Sequence, residues 1–235
     1  FCFFALMQPL FAEKKDWLID GSSYKAEVNL SPDKKQVELT NGLLRRIFSL
    51  TPNGATIALD NLMTGQNELR AVRPEAVLVI NGKEYPIGGL AGQPVHNFLT
   101  KDMLSDMQLC DSAFVLTDYE IDETKEHFPW KPNESWISNK YSWPAPGKRV
   151  TFTYKAPRKI ADECKGLTVR IVYELYDGAP ILSKWIKIEN NGQKAVTLDS
   201  FKSEVLALVE TAPKVHYGEP HEVRMMAQEP GHYTK

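Results

Sequence analysis

Residues 168–209 contain three runs that decide the fold: TVRIVYELY at 168–176, ILSKWIKIE at 181–189 and AVTLDSFKSEVLALV at 195–209. In the first run every second residue from Val169 to Leu175 is apolar, an alternation that is typical of a half-buried strand. The segments 177–180 (DGAP) and 190–192 (NNG) separate the runs and are rich in turn-forming residues. The pattern predicts three consecutive antiparallel strands.

The second run has apolar residues on both of its faces. Leu182, Ile186 and Ile188 share one face, which Lys184 interrupts, whereas Trp185 points the other way. We therefore expect Trp185 either in a second packed layer or near a sheet edge. Apolar groups on both faces favour two stacked sheets over one sheet open to water. The sequence thus predicts an all-β fold, an antiparallel β-supersandwich with at most one or two short helices.

Local signals predict two hairpins and one helix. Asn41-Gly42 and Asn81-Gly82 each stand between apolar-bearing runs, which is the strongest short-range hairpin signal. Between Thr100 and Leu109 apolar residues recur at helical spacing, and Thr100 is a candidate cap. We expect a short helix there, with methionines that pack on the sheet and contact no metal or cofactor.

Composition limits the classes of partner. The chain has 235 residues, of which 43% are hydrophobic, and 28 basic side chains balance 30 acidic ones. This length permits one all-β domain or two small ones, and we favour a single domain over residues 13–235. Lysine and arginine form no run. Nucleic acid is therefore not an expected partner, because its binding depends on clustered positive charge.

The N-terminal segment predicts export. Residues 1–12 are apolar and are followed at once by the charged residues 13–16, as in the end of a signal peptide. A buried first strand is the alternative. We expect a secreted or periplasmic protein without a membrane span, because no segment reaches the roughly 20 apolar residues that a spanning helix needs. Export would permit a disulfide between Cys110 and Cys164, although isolated cysteines are more often buried apolar side chains.

Motifs for catalysis and cofactor binding are missing. His221-Glu222 begins like a zinc-protease helix, but Met225 stands where the second histidine ligand is required. No glycine pattern for nucleotide binding is present either, so we predict neither cofactor nor metal. The densest acidic cluster lies on an alternating run and is interpreted as a solvated face; its members are Asp118, Glu120, Asp122 and Glu123.

A long aromatic loop is the main candidate for function. Residues 126–149 contain four prolines, which rule out a regular ladder or helix, and three of the five tryptophans of the chain. Such a loop either covers the sandwich or presents a binding surface. Aromatic rings stack on the apolar faces of sugars while polar side chains bind the hydroxyls. The predicted carbohydrate-binding residues are Trp130, Trp136, Tyr141 and Trp143.

The hairpin block and several short motifs resemble one known family. Residues 167–192, running on to Val196-Thr197-Leu198, resemble the N-terminal β-supersandwich of family-36-type α-galactosidases, a mutarotase-like sandwich. Further matching segments lie at 40–43 (TNGL), 61–65 (NLMTG), 128–130 (FPW) and 143–148 (WPAPGK). The resemblance covers most of residues 36–210.

The resemblance implies a non-catalytic domain of an exported glycoside hydrolase. In that family the two catalytic aspartates belong to a following (β/α)8 barrel, so no catalytic residue is assigned in this sequence. The implied partners are this downstream barrel and a galactoside-containing glycan. The first alternative is a free-standing carbohydrate-binding or surface glycan-assembly protein. The second is a mutarotase-type epimerase, which needs a histidine and a carboxylate converging on one sheet face.

Overall fold

The computed structural model describes residues 16–94, 98–131, 133, 135, 142–157 and 159–209. Its elements, in chain order, are β1 (Glu27–Leu30), β2 (Gln36–Thr40), β3 (Leu44–Ser49), β4 (Ala55–Asn61), β5 (Gln66–Asn67), β6 (Leu69–Ala71), β7 (Ala76–Ile80), β8 (Lys83–Ile87), α1 (Lys101–Asp106), β9 (Val115–Glu123), β10 (Gly147–Lys155), β11 (Leu167–Tyr176), β12 (Leu182–Asn190), β13 (Leu198–Lys202) and β14 (Ala207–Leu208). One 3₁₀ turn, Asp162–Cys164, precedes β11.

Within the described residues, the strands form four sheets whose strand pairs are antiparallel. Their strand orders are β1-β2-β3-β4-β5, β12-β11-β10-β9, β13-β7-β8 and β14-β6. One hydrophobic core joins the first three sheets, with Phe48 from β3, Leu78 from β7 and Ile171 from β11 among its buried members. Burying one apolar face of each sheet against the others removes these side chains from water, which is the main stabilising term of such a fold. The predicted all-β class, with stacked antiparallel layers, is confirmed.

Both predicted hairpins are present. Asn81 and Gly82 form a two-residue turn between β7 and β8 with φ values of 51° and 73°, the left-handed conformation that Asn and Gly tolerate best. Between β2 and β3 the connection has three residues, 41–43, and the Asn41 side chain closes it.

Helix α1 forms directly after Thr100, whose side chain makes no capping bond. Met107, the residue after the helix, is buried with Ala55 and Ile57 of β4. The expected packing of this methionine on a sheet is therefore confirmed.

The third run of the C-terminal block does not continue the sheet of β11 and β12. It divides into β13, which pairs with β7, and β14, which pairs with β6, so the prediction of three consecutive paired strands is wrong for the last one. Phe201 of β13 pairs with Leu78 of β7, and Ala207 of β14 pairs with Ala71 of β6. Pairing with strands so far away in the sequence leaves no trace in local alternation, and β12 remains an edge strand.

The structure also bears on the two cysteines and on the expected absence of a membrane span. Cys110 and Cys164 are not bonded to each other, and Cys164 is buried in the main core. Among the described residues, the structure has no helix of the length and hydrophobicity that a membrane span needs. The expected signal remnant, residues 1–12, lies outside the described residues.

Replacing Asn41 by alanine is expected to lower the free energy of unfolding by about 2 kcal/mol, because four hydrogen bonds to one buried side chain are lost. Its Oδ1 accepts from the amides of Leu43 and Leu44, and its Nδ2 donates to the carbonyls of Tyr176 and Ala179. Urea unfolding measures the change. The matched control is Asn29→Ala on exposed β1; equal losses for the two variants would contradict the assignment.

Candidate functional site

The aromatic loop connects β9 to β10 at one end of the four-stranded sheet. Alternate residues of β11, including Tyr173, face the main core, so Val172 and Glu174 face the opposite side. Val172 pairs with Trp185 of β12, and Glu174 pairs with Arg149 of β10. Trp185 therefore lies on the outer face of this sheet, where the loop packs.

Loop residues and Trp185 form a contiguous set of rings, here called the aromatic cluster: His127, Phe128, Trp130, Trp143 and Trp185. His127 stacks on Trp185 with 4.6 Å between centroids and 16° between planes. Phe128 meets His127 edge-on at 4.6 Å. Trp143 contacts Phe128 at 4.9 Å and Trp130 at 5.3 Å. These separations are those of favourable aromatic pairs.

The cluster has an inner and an outer part. Trp143 and Trp185 are half-buried, whereas Phe128 is 47% exposed and Trp130 39% exposed. Trp143 also donates from its indole N–H to the Phe128 carbonyl at 3.2 Å, which ties the two arms of the loop together. The loop therefore does both things that its composition allowed: it covers the sheet with some rings and presents others to solvent.

A buried ion pair holds the base of the loop. Glu174 is almost fully buried and accepts from Arg149 Nε at 2.7 Å and from the Lys125 amide at 3.2 Å. Its other carboxylate oxygen accepts from the Tyr176 hydroxyl at 3.0 Å. Arg149 donates in turn to the Lys125 carbonyl at 3.1 Å, and its guanidinium carbon lies 5.3 Å from the centre of the Trp185 ring.

The arrangement of the rings is suited to stacking. Exposed, pre-positioned rings offer flat apolar faces, and exposed polar groups such as Lys125 and Glu126 adjoin them. Glu174, the buried carboxylate at the base of the loop, has hydrogen bonds on both of its oxygens. It lacks the open access that a general base requires. On the described residues, no group of His, Cys, Asp or Glu side chains is placed to hold a metal ion.

Two of the four predicted carbohydrate-binding residues can be placed. Trp130 and Trp143 both belong to the aromatic cluster, whereas Trp136 and Tyr141 lie outside the described residues. The sequence analysis missed His127 and Phe128 as cluster members, although they belong to the same loop. It left Trp185 undecided, and the alternation of β12 was the available signal, because it placed this ring away from the core.

The acidic cluster of β9 lies on the surface, as predicted. Asp118, Glu120 and Glu123 are exposed. Asp122 pairs with Lys125 at 2.7 Å, and Glu123 pairs with Lys148. Exposed pairs of this kind contribute little to stability.

A second set of charged and polar side chains extends from the interior of the sandwich to its surface, where Glu204 is 33% exposed at the side chain. It is here called the buried charge cluster: Arg46, Glu75, Tyr173, Lys184 and Glu204. Arg46 lies 2.9 Å from Glu204 and 3.4 Å from Glu75. Lys184 lies 2.8 Å from Glu204. This explains why Lys184 interrupts the apolar face of its strand. No buried side-chain N or O atom of the described residues is left without a hydrogen-bond partner, so the cluster is interpreted as structural.

Glu204 makes the stability of this cluster depend on pH. Burial acts to raise the pKa of the Glu204 carboxyl, but Arg46 and Lys184 outweigh it and hold the pKa below the usual 4.5. A carboxyl with a lowered folded-state pKa stabilises the protein above its unfolded-state pKa, and this contribution is lost as the pH falls through the folded-state value.

The variant Glu204→Gln is therefore expected to lose stability at neutral pH and to show a smaller decline on acidification below about pH 4.5 than the parent protein. Urea unfolding at a series of pH values measures both effects. Glu84→Gln is the control, because Glu84 meets Lys202 only at 4.0 Å on the surface. Parallel pH profiles for the parent and Glu204→Gln would contradict the assignment.

Comparisons with family models, curated proteins and solved structures gave no match for this chain. Its function is therefore inferred from the chemistry of the aromatic cluster and from the sequence motifs.

Proposed function

We propose that this chain is a non-catalytic β-sandwich domain of an exported α-galactosidase-like glycoside hydrolase, and that its aromatic cluster binds carbohydrate. The observation that carries the binding proposal is the pair of exposed rings, Phe128 and Trp130, both packed against Trp143. The resemblance of the hairpin block and the loop motifs to the family supports the glycosidase context.

Stacking explains why such rings remain exposed. Large aromatic side chains gain free energy from burial, so solvent-facing Phe and Trp grouped together are typical of a recognition surface. Trp143 supports both rings from the side of the sheet, which lowers the conformational entropy that ordering them on a ligand would cost. A pyranose offers a C–H face to the rings and hydroxyls to the neighbouring polar groups.

The variant Trp130→Ala is expected to weaken the binding of an α-galactoside such as melibiose by about tenfold, the loss of roughly one aromatic contact. Isothermal titration calorimetry measures the affinity, and the change in tryptophan fluorescence on titration gives a second readout. Phe201→Ala is the matched control, because Phe201 is 60% exposed on β13 and belongs to none of these ring contacts. Unchanged affinity in Trp130→Ala would refute the assigned surface.

The proposal that this domain belongs to a glycoside hydrolase can be tested by sequencing the gene beyond the codon for Lys235. If the reading frame continues past Lys235 into alternating β and α segments, the sandwich accompanies a catalytic barrel, which would carry the bond cleavage. A stop codon directly after Lys235, together with melibiose binding, would instead favour a free-standing carbohydrate-binding or glycan-assembly protein.

A further inference from the structure

We infer that Arg149 and Glu174 are positioning residues for the aromatic cluster: they fix its geometry for a carbohydrate ligand without touching that ligand. The ligand part of this inference rests on the proposed function, whereas the geometric part does not. Both side chains are buried on the outer face of the four-stranded sheet, beneath the start of the loop.

The pair binds both backbone groups of Lys125, the residue directly before the aromatic loop. Glu174 accepts from the amide of Lys125, and Arg149 donates to its carbonyl. The pair itself is closed by two short bonds, at 2.7 Å from Nε and 2.6 Å from Nη2 to one carboxylate oxygen. Lys125 lies two positions before His127. The two hydrogen bonds to its backbone therefore set the direction in which the chain enters the aromatic cluster.

The same guanidinium supports the cluster from the side of the sheet. Its central carbon lies 5.3 Å from the centre of the Trp185 ring, within the range of a cation–π contact. Trp185 stacks on His127, and His127 contacts both Phe128 and Trp143. Arg149 therefore acts on the exposed rings by two routes, through the Lys125 backbone and through the Trp185 ring.

Energetics favour a geometric role over a stabilising one. Removing two charges from water is costly, and apolar residues of similar volume can replace a buried ion pair at little or no cost in stability. What apolar residues cannot replace is the directed bonding to Lys125. The double variant Arg149→Met with Glu174→Leu should therefore fold, but it should lack both hydrogen bonds to the Lys125 backbone.

The test uses the exciton circular dichroism of the adjacent indoles of Trp130 and Trp143, whose centroids are 5.3 Å apart. The part of the signal that Trp130→Phe removes reports the geometry of this pair. We expect the double variant to lose that part and to bind melibiose about tenfold more weakly, because pre-organisation is lost. The isosteric variant Glu174→Gln should show the same changes to a smaller extent, and it keeps the test decisive if the double variant does not fold.

Glu204→Gln is the matched control, because Glu204 contacts Lys184 on the core-facing side of β12, opposite to Trp185, and should leave the exciton signal and the melibiose affinity unchanged. Retention of the exciton signal in both the double variant and Glu174→Gln would overturn the inference. If the parent protein binds no melibiose, the proposed function fails, but the exciton signal still decides whether the pair positions the rings.

Discussion

Replacing Glu75 by alanine is expected to lower the free energy of unfolding by about 4 kcal/mol, because it leaves buried positive charge without its partner. Glu75 is 1% exposed at the side chain and accepts from the Thr56 amide at 2.5 Å and from the Tyr173 hydroxyl. Arg46, 3.4 Å away, is also buried and has only Glu204 as a further carboxylate partner among the described residues.

The loss should exceed that of an ordinary hydrogen bond for two reasons. The cavity left by the carboxylate would orphan the Thr56 amide and leave the Tyr173 hydroxyl without an acceptor, and each buried unsatisfied group costs about 1–3 kcal/mol. Arg46 and Lys184 would in addition share the single carboxylate of Glu204.

Urea unfolding of the parent and of Glu75→Ala gives the difference directly. The surface variant Glu84→Ala serves as the control, because its lysine partner lies at 4.0 Å and both side chains are largely exposed; a change within about 0.5 kcal/mol is expected there. A loss of under about 1 kcal/mol for Glu75→Ala would contradict the assignment of Glu75 as a buried charge partner of Arg46.

The parts of the fold that were predictable from the sequence are those with local causes. Asn81-Gly82 specifies its turn because both residues tolerate positive φ. The alternation in 168–176 specifies β11 because each strand face is set by residues two apart.

The predictions that failed concern features that depend on contacts between distant segments of the chain. Nothing within 195–209 indicates that its strands pair with β7 and β6, because these partner strands lie far earlier in the sequence. Likewise Lys184 reads as an interruption until Glu204 and Glu75 are placed beside it. Strand β10 was not assigned either, and the predicted loop extended over its first residues, Gly147 to Arg149, although Val150, Phe152 and Tyr154 alternate inward.

The candidate site also has one part that local sequence predicted and one part that depends on contacts between distant segments. The composition of the loop predicted an aromatic surface, and Trp130 and Trp143 are found in contact. The contribution of Trp185 and of the pair Arg149–Glu174 could not be read from spacing, because it arises only when β10, β11 and β12 are in register. Local composition thus indicated the chemistry, while the supporting geometry required the tertiary fold.

Replacing Phe48 by alanine is expected to lower the free energy of unfolding by about 4 kcal/mol, the usual loss when a phenylalanine is removed from a rigid core. Phe48 belongs to β3, yet its ring lies 4.8 Å from both Phe152 of β10 and Tyr173 of β11. It is 1% exposed. The cavity would therefore open between two sheets, where neither sheet can relax without moving the other.

This variant also tests whether the sheets unfold as one unit. Trp143 and Trp185 report on the four-stranded sheet through fluorescence, and far-UV circular dichroism reports on all strands. Because the sheets share one core, the transitions followed by both probes should move to a lower urea concentration in Phe48→Ala and should remain coincident. The exposed control Phe201→Ala should change stability by at most about 0.5 kcal/mol. A fluorescence transition that stays in place while the dichroism moves would mean that the five-stranded and four-stranded sheets fold independently, as two small domains would.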